Sequence, residues 1–123
     1  MNIIIKDIKK TFGEKVAVDI PELTIHSGEL IGLVGNNGAG KSTLFRLMLD
    51  LIKADTGTVR MVSTDVDVNV AETECWKDWT GAFVDEGFLI DYLTPDEYFQ
   101  FIARLTDTTD EQLQDFLAHY QHF

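Results

Sequence analysis

The sequence predicts an α/β fold in which an antiparallel β-layer precedes a buried strand, a glycine-rich loop and a helix, followed by the start of a helical subdomain. Three observations support this expectation. Short β-branched segments separated by turns occupy residues 1–28. Residues 35–42 are rich in glycine and lie between an apolar run and an apolar helix. Two amphipathic segments with capping signals close the sequence.

The N-terminal segments have the composition of strands. Residues 3–8 are rich in isoleucine, and residues 16–20 and 23–26 combine β-branched and apolar side chains. Pro21 lies between the second and third segments and is expected to separate them into two strands. A turn is expected at residues 11–14. The sequence therefore predicts three antiparallel strands ahead of the glycine-rich loop.

The glycine-rich stretch, residues 35–42, reads GNNGAGKS and fits the pattern G-x-x-x-x-G-K-[ST] of a phosphate-binding P-loop. Residues 29–34 predict a short buried strand before the loop, and residues 41–52 predict a helix after it. That helix is apolar on nearly all sides, so we expect it to be buried against a central sheet. Strand, loop and helix together indicate a P-loop NTPase sheet rather than a glycine-rich turn that binds nothing.

Each part of this pattern suits the binding of a nucleotide phosphate. Glycines let the backbone curve around an anion, and the helix N-terminus adds partial positive charge. We expect Lys41 to reach the β- and γ-phosphates of ATP and the Ser42 hydroxyl to bind Mg²⁺. The predicted nucleotide-binding residues of the loop are Gly35, Asn36, Asn37, Gly38, Ala39, Gly40, Lys41, Ser42 and Thr43.

Beyond the loop the sequence returns to short elements. Residues 58–62 predict a strand, residues 72–79 a short helix with Trp76 and Trp79 on one face, and residues 80–84 an apolar strand that ends at Asp85-Glu86.

Two helices are expected near the C-terminus. Thr94 and Glu97 form a capping box with Pro95 at the first helical position, and Thr109 with Gln112 repeats the box. No stop signal follows the second helix, so we expect the chain to be part of a longer protein.

Composition excludes several classes of partner. The 123-residue chain is one domain at most, and its net charge of −11 repels nucleic acid and anionic lipid. Cys75 is the single cysteine, which excludes an intrachain disulfide and suits a cytoplasmic protein. No apolar run has the length of a transmembrane helix.

The chain resembles the N-terminal part of an ATP-binding cassette (ABC) ATPase through residues 9–13, 28–42, 55–59 and 93–97. It is particularly similar to ATP-binding subunits of multidrug, antibiotic and lantibiotic-type exporters. The resemblance implies that Phe12 stacks on adenine, although Phe12 could instead fill the core of the β-layer.

The same resemblance places Asp85 where the family usually carries the glutamine of the Q-loop, which touches Mg²⁺. An acid at this position can still coordinate the metal. The expected magnesium ligands are therefore Ser42 and Asp85.

The resemblance also implies a division of the chain and a set of partners. Residues 1–90 correspond to the ATPase core and residues 91–123 to the start of the helical subdomain. The family couples ATP binding and hydrolysis to transport, with a second ATPase subunit and a membrane-spanning subunit, so we expect a cytoplasmic location at the inner face of the membrane. The segment 87–94 is expected to meet the membrane partner.

By this resemblance, we expect the chain alone to bind Mg-ATP without hydrolysing it. No signature sequence follows the first predicted helix of the subdomain, and no later strand ends in a catalytic Asp-Glu pair. One alternative is a compact non-cassette NTPase in which Asp85 and Glu86 form a Walker B pair. Another alternative is a degenerate module that senses nucleotide or binds a partner.

Overall fold

The computed structural model describes residues 1–84, 87 and 89–120, and the chain divides into two compact units, residues 1–84 and 85–123. The first unit contains β1 (Asn2–Phe12), β2 (Lys15–Ile25), α1 (Lys41–Met48), β3 (Thr56–Val62), β4 (Asp67–Asn69) and a 3₁₀ helix (Cys75–Trp79). The second unit contains α2 (Pro95–Leu105) and α3 (Asp110–Ala118).

The first unit is built on a four-stranded antiparallel sheet with the order β2-β1-β3-β4. This sheet confirms the predicted N-terminal β-layer. A two-residue turn joins β1 to β2, with Gly13 at φ 60. Lys10 pairs with Val18 and Thr11 with Val16, so Ala17 is the extra residue of a β-bulge.

The predicted break at Pro21 is wrong, because β2 is one continuous strand from Lys15 to Ile25. The physical reason is the position of β2 in the sheet. It is an edge strand, and proline is tolerated there because one side of an edge strand has no neighbour to receive its N–H groups.

The core of this unit forms between the sheet and α1. Ile5 and Ile8 of β1 are 0% and 1% exposed, and Leu44 and Leu47 of α1 pack in the same cluster. Ile5 and Ile8 would face opposite sides of a regular strand. An irregularity between them, at Asp7 (φ 50), brings both side chains to one core.

The predicted strand at residues 29–34 is wrong. This segment forms no strand, and Leu30 and Val34 are almost fully exposed. A strand satisfies its N–H and C=O groups by pairing with a neighbour, and the sheet described here includes no neighbour for this segment.

The helix after the loop is shorter and less buried than predicted. α1 ends at Met48, where a turn replaces the expected continuation to residue 52. Leu44 and Leu47 are buried, but Phe45 is half exposed. The reason is that α1 packs on only one face of the sheet described here, so its other side stays in solvent.

One further expectation in this unit is wrong. Residues 80–84 form no strand, and β4 at Asp67–Asn69 was missed. The short helix expected at residues 72–79 is a 3₁₀ helix at Cys75–Trp79. Trp76 is buried and donates its indole N–H to the Val70 carbonyl at 3.1 Å, whereas Trp79 is half exposed.

The two predicted helices of the second unit are confirmed. The Thr94 hydroxyl accepts from the Glu97 N–H while the Thr94 N–H donates to the Glu97 carboxylate at 2.8 Å, which completes the first capping box. Thr109 and Gln112 form the same arrangement at α3. In the described part of the chain, no helix is both long and apolar enough to span a membrane.

Candidate functional site

A pocket of about 350 Å³ lies between the β1–β2 hairpin and the N-terminus of α1. Its volume falls in the range of about 300–1,000 Å³ found for small-molecule sites. The hairpin contributes Phe12, Lys15 and Ala17, and the loop with the first turn of α1 contributes Asn37, Gly38, Gly40, Lys41, Ser42 and Thr43.

The helix end of this pocket is suited to an anion. Gly40 is the N-cap of α1 and supplies no side-chain cap, and the first turn carries no acidic residue. The first intrahelical bond runs from the Leu44 N–H to the Gly40 carbonyl at 2.8 Å. The preceding N–H groups have no partner within the helix, and they add to the positive end of the helix dipole.

Lys41 lies along the loop rather than pointing into solvent. Its Nζ donates to the carbonyl oxygens of Gly35 at 2.6 Å and Asn36 at 2.9 Å. A lysine ammonium has three N–H donors, so these two bonds leave one donor for a ligand. Gly35 and Asn36 therefore act through their carbonyls, which hold Lys41 beside the pocket.

Two glycines of the loop have left-handed backbones, Gly38 at φ 82 and Gly40 at φ 89. A Cβ on Gly40 would collide with the carbonyl oxygen of Ala17, the bulged residue of β2. Only glycine fits this position, and the close approach fixes the start of α1 against the hairpin.

Phe12 forms the opposite end of the pocket, at the last position of β1. Phe12 is 54% exposed, so it does not fill the core of the β-layer. The Nζ of Lys10 lies 5.6 Å from the ring centroid, within cation–π range.

Sequence reasoning missed Lys15, although the hairpin gives a signal for it. A two-residue turn places its flanking residues opposite each other, and Lys15 pairs with Phe12 across the turn. The Lys15 Nζ lies 3.8 Å from the position of a Cβ built on Gly38. A second cation therefore lines the pocket beside Lys41.

Sequence reasoning also missed Asp55, which precedes β3 and contacts the end of β1. Its carboxylate accepts from the Thr11 N–H and the Thr11 hydroxyl, each at 2.7 Å, and from Lys10 Nζ at 3.0 Å. The hydrogen bond from the Thr11 side chain, followed by that from Lys10, lowers the pKa of Asp55 from 3.8 to about 2. No local sequence signal links residues 44 positions apart.

Some predicted site residues are not brought together by this pocket. Asp85 and Glu86 lie outside the residues that the structure describes. Ala39 lines a neighbouring hollow of about 200 Å³ with Gly40 and Lys41. Among the described residues, no group of three or more histidine, cysteine, aspartate and glutamate side chains could hold a metal ion. Ser42 remains in the pocket wall, beside Lys41.

The fold and the pocket define a protein with a glycine-rich loop at the N-terminus of a helix. The family model described as "ABC transporter" matches residues 18–122. The chain therefore belongs to the ABC transporter family, and the family predicted from the sequence is confirmed.

Several curated proteins are similar to this chain. The phosphonates import ATP-binding protein PhnC of Rhizobium etli is 40% identical over 62 residues, covering 50% of this chain and 22% of that protein. The Nod factor export ATP-binding protein I of Sinorhizobium fredii is 48% identical over 60 residues, covering 49% and 18%. The methionine import ATP-binding protein MetN of Rhizobium etli is 42% identical over 60 residues, covering 49% and 17%.

The alignments span about a fifth of the length of these relatives. Their names include both import and export systems. The expected likeness to multidrug exporters in particular therefore stays a prediction.

Proposed function

We propose that this chain binds Mg-ATP in the pocket between Phe12 and the residue 35–43 loop, as part of the ATPase of an ABC transporter. The observation that carries the proposal is the shape of the pocket. It has an exposed aromatic ring at one end and, at the other, an uncapped helix N-terminus with a lysine. Family membership and the ATP-binding proteins among the relatives support the same ligand.

At the phosphate end, the N–H groups of α1 and the free donor of Lys41 would bind the β- and γ-phosphates. Gly38 and Gly40 keep the backbone open to an anion because neither carries a Cβ. Asn37, Ser42 and Thr43 complete this wall. Local charge is essential here, because the chain as a whole has a net charge of −11 and repels ATP at long range.

At the other end, the Phe12 ring offers a π-face to adenine. Its exposure supports stacking over a role in the core of the β-layer. Lys15, opposite Phe12 in the hairpin, is near enough to the loop to neutralise phosphate charge.

The residues present fit a magnesium ion that arrives with the nucleotide. Mg²⁺ prefers oxygen ligands and commonly takes one or two from the protein, with phosphates and waters as the others. The Ser42 hydroxyl is such a ligand and shares the pocket with Lys41. Bound Mg²⁺ would neutralise phosphate charge. Asp85 stays a proposed second ligand.

The wider function is proposed from the family. In a complete protein the chain would contribute to ATP-driven transport, pair with a second ATPase subunit, and bind a membrane-spanning subunit at the inner face of the membrane. Residues 1–90 would be the core and residues 91–123 the start of the helical subdomain. In the segment 87–94, Leu89 and Tyr92 are exposed, which supports a docking surface. Phe88 lies outside the described residues.

The proposal is tested by titrating the chain with Mg-ATP in a calorimeter, comparing wild type with Lys41→Ala. Loss of the charge-assisted contact should cost about 1.5–3 kcal/mol, a loss of about tenfold or more in affinity. Lys53→Ala is the matched control, because Lys53 is exposed and pairs with Asp50 at 2.8 Å in the turn after α1. Equal affinities of wild type and Lys41→Ala would show that the loop is not the site.

A further inference from the structure

The end of β1 that carries Phe12 extends past its neighbour on one side of the sheet. The last pair between β1 and β3 joins Lys9 to Thr56, and β1 continues to Phe12. On its other side β1 still pairs with β2, but the bulge at Ala17 interrupts that register. The backbone just before Phe12 therefore has less support from the sheet than the rest of β1.

Asp55 occupies the position where β3 would otherwise continue beside β1. Its N–H donates to the Lys9 carbonyl at 2.8 Å, which extends the strand pairing by one residue. Its carboxylate then accepts from the Thr11 N–H at 2.7 Å, as a strand carbonyl would. The hydroxyl of Thr11 donates to the same carboxylate oxygen at 2.7 Å.

The carboxylate of Asp55 also controls a cation beside the ring. Lys10 Nζ lies 3.0 Å from one carboxylate oxygen and 5.6 Å from the centroid of Phe12. The side chain of Lys10 is largely buried, at 18% exposed. Asp55 therefore holds both the backbone before Phe12 and the cation over its ring.

The geometry points to Asp55 as the positioning residue for the aromatic base platform, which is the Phe12 ring on which adenine would stack. Asp55 orients this ring for nucleotide binding without touching the nucleotide. This inference rests on the proposed function. The hydrogen bonds of Asp55 that the structure describes go to residues 9–11, whereas the phosphate end of the pocket is formed by residues 37–43. Asp55 should thus affect recognition of the base and leave recognition of the phosphates unchanged.

The first test titrates wild type and Asp55→Ala with Mg-ATP and, separately, with magnesium and inorganic triphosphate. Asp55→Ala should weaken Mg-ATP by about threefold or more, because stacking contributes about 1–3 kcal/mol per base and needs a fixed ring. Triphosphate affinity should not change, which would also show that the variant is folded. Unchanged binding of Mg-ATP, or an equal loss for both ligands, would overturn the inference.

A double-mutant cycle with Phe12→Ala separates positioning from a general structural effect. If Asp55 acts through the ring, Asp55→Ala should cause no further loss of Mg-ATP affinity once Phe12 is absent. Additive losses would contradict the inference. Asp55→Asn should give an intermediate affinity, since an amide oxygen still accepts from Thr11, and it replaces Asp55→Ala in the cycle if that variant does not fold.

Asp67→Ala is the matched control. Asp67 is an exposed aspartate that pairs with Arg60 at 2.7 Å, and it lies on β4 at the sheet edge opposite β2. The Asp67→Ala variant should bind both ligands as wild type does. A selective loss of Mg-ATP affinity in this variant would show that removing any ion pair of the sheet has the same effect, and it would overturn the inference.

The same titrations distinguish failure of the proposed function from failure of the role inferred for Asp55. If wild type does not bind Mg-ATP, or if Phe12→Ala weakens Mg-ATP and triphosphate alike, the proposed base platform is wrong and the inference falls with it. If Phe12→Ala is selective for Mg-ATP and Asp55→Ala is not, only the inference about Asp55 is wrong.

Discussion

The carbonyl oxygen of Ala17 occupies the space that a Cβ on Gly40 would fill. Ala17 is the bulged residue of the hairpin that carries Phe12, and Gly40 is the N-cap of the helix that carries Lys41. This contact therefore sets how far the aromatic ring lies from the helix N-terminus. The bulge at Ala17 and the glycine at position 40 are therefore both explained by this contact between the hairpin and the helix, and not by the hairpin or the helix alone.

Replacing Gly40 with alanine should disturb both the fold and the pocket. A left-handed backbone (φ 89) costs an L-residue about 1–2 kcal/mol, and the collision with Ala17 adds displacement of α1. We expect a lower melting temperature and a loss of Mg-ATP affinity. Gly28→Ala is the control: Gly28 has φ 83, with nothing near its Cβ position, so it should lose stability and keep its affinity. Equal affinities of the two variants would contradict the role of this contact.

Phe12→Ala should weaken Mg-ATP by about 1–3 kcal/mol through the loss of stacking on the base. Inorganic triphosphate should bind as tightly as before, because the loop and α1 are unchanged. Calorimetric titration with both ligands measures the difference. A parallel loss for both would mean that Phe12 supports the structure and does not contact the base.

The stability of the first unit should fall at acid pH when Asp55 becomes protonated. Its pKa is lowered from 3.8 to about 2 in the folded chain, chiefly by the hydrogen bond from the Thr11 side chain. The folded state is therefore stabilised above the unfolded pKa, and this stabilisation is lost as the pH falls from 3.8 through about 2. Between pH 5 and 7 it should be constant.

Chemical denaturation across this range checks the prediction. The difference in unfolding free energy between wild type and Asp55→Asn should be constant near neutral pH and shrink below about pH 4. Thr11→Val, which removes the hydroxyl donor, should move this loss to higher pH. A difference that does not change down to pH 2 would count against the hydrogen bonds described here.

The isolated chain should self-associate through the unpaired apolar segment at residues 29–34. Leu30 and Val34 are almost fully exposed there, and exposed apolar backbone without strand partners recruits other chains. Light scattering should show mass that rises with concentration, and Leu30→Glu should reduce it. Leu105→Glu, at an exposed leucine of α2, should have little effect. A concentration-independent monomer would refute the prediction.

The chain should bind Mg-ATP without turning it over. The described residues that line the pocket supply phosphate-binding donors and no carboxylate to position water. ATP at about 100 times its dissociation constant should stabilise the fold by roughly 2.7 kcal/mol. The melting temperature should rise by about 10 °C for a chain of this length while phosphate release stays at background. Phosphate release that depends on Lys41 would instead support Asp85 and Glu86 as a Walker B pair.

Local chemistry in this protein could be predicted from the sequence because its partners are close in the chain. Thr94 and Glu97 are three residues apart, so their capping box forms within one helical turn. The loop at residues 35–42 likewise carries its own glycines, its lysine and the start of its helix. Each of these interactions depends on neighbours that the sequence already places together.

Strand formation was harder to predict: outside the N-terminal β-layer, only residues 58–62 form a strand as expected. Residues 29–34 and 80–84 have strand composition and form no strand, whereas Asp67–Asn69 has little pattern and pairs with β3. A strand requires a hydrogen-bonding neighbour, and composition does not say whether one is present.

The sequence by itself determined the glycine-rich loop before α1, the two capped helices and the N-terminal β-layer. Only the tertiary structure decided that the Ala17 carbonyl lies against Gly40 and that Lys15 lines the pocket. The tertiary structure also decided that Asp55 accepts a hydrogen bond from the backbone just before Phe12. The physical reason is distance along the chain: Thr11 and Asp55 are 44 residues apart. Only the pairing of β1 with β3 brings a carboxylate to an N–H group that the sheet would otherwise leave without a strand partner.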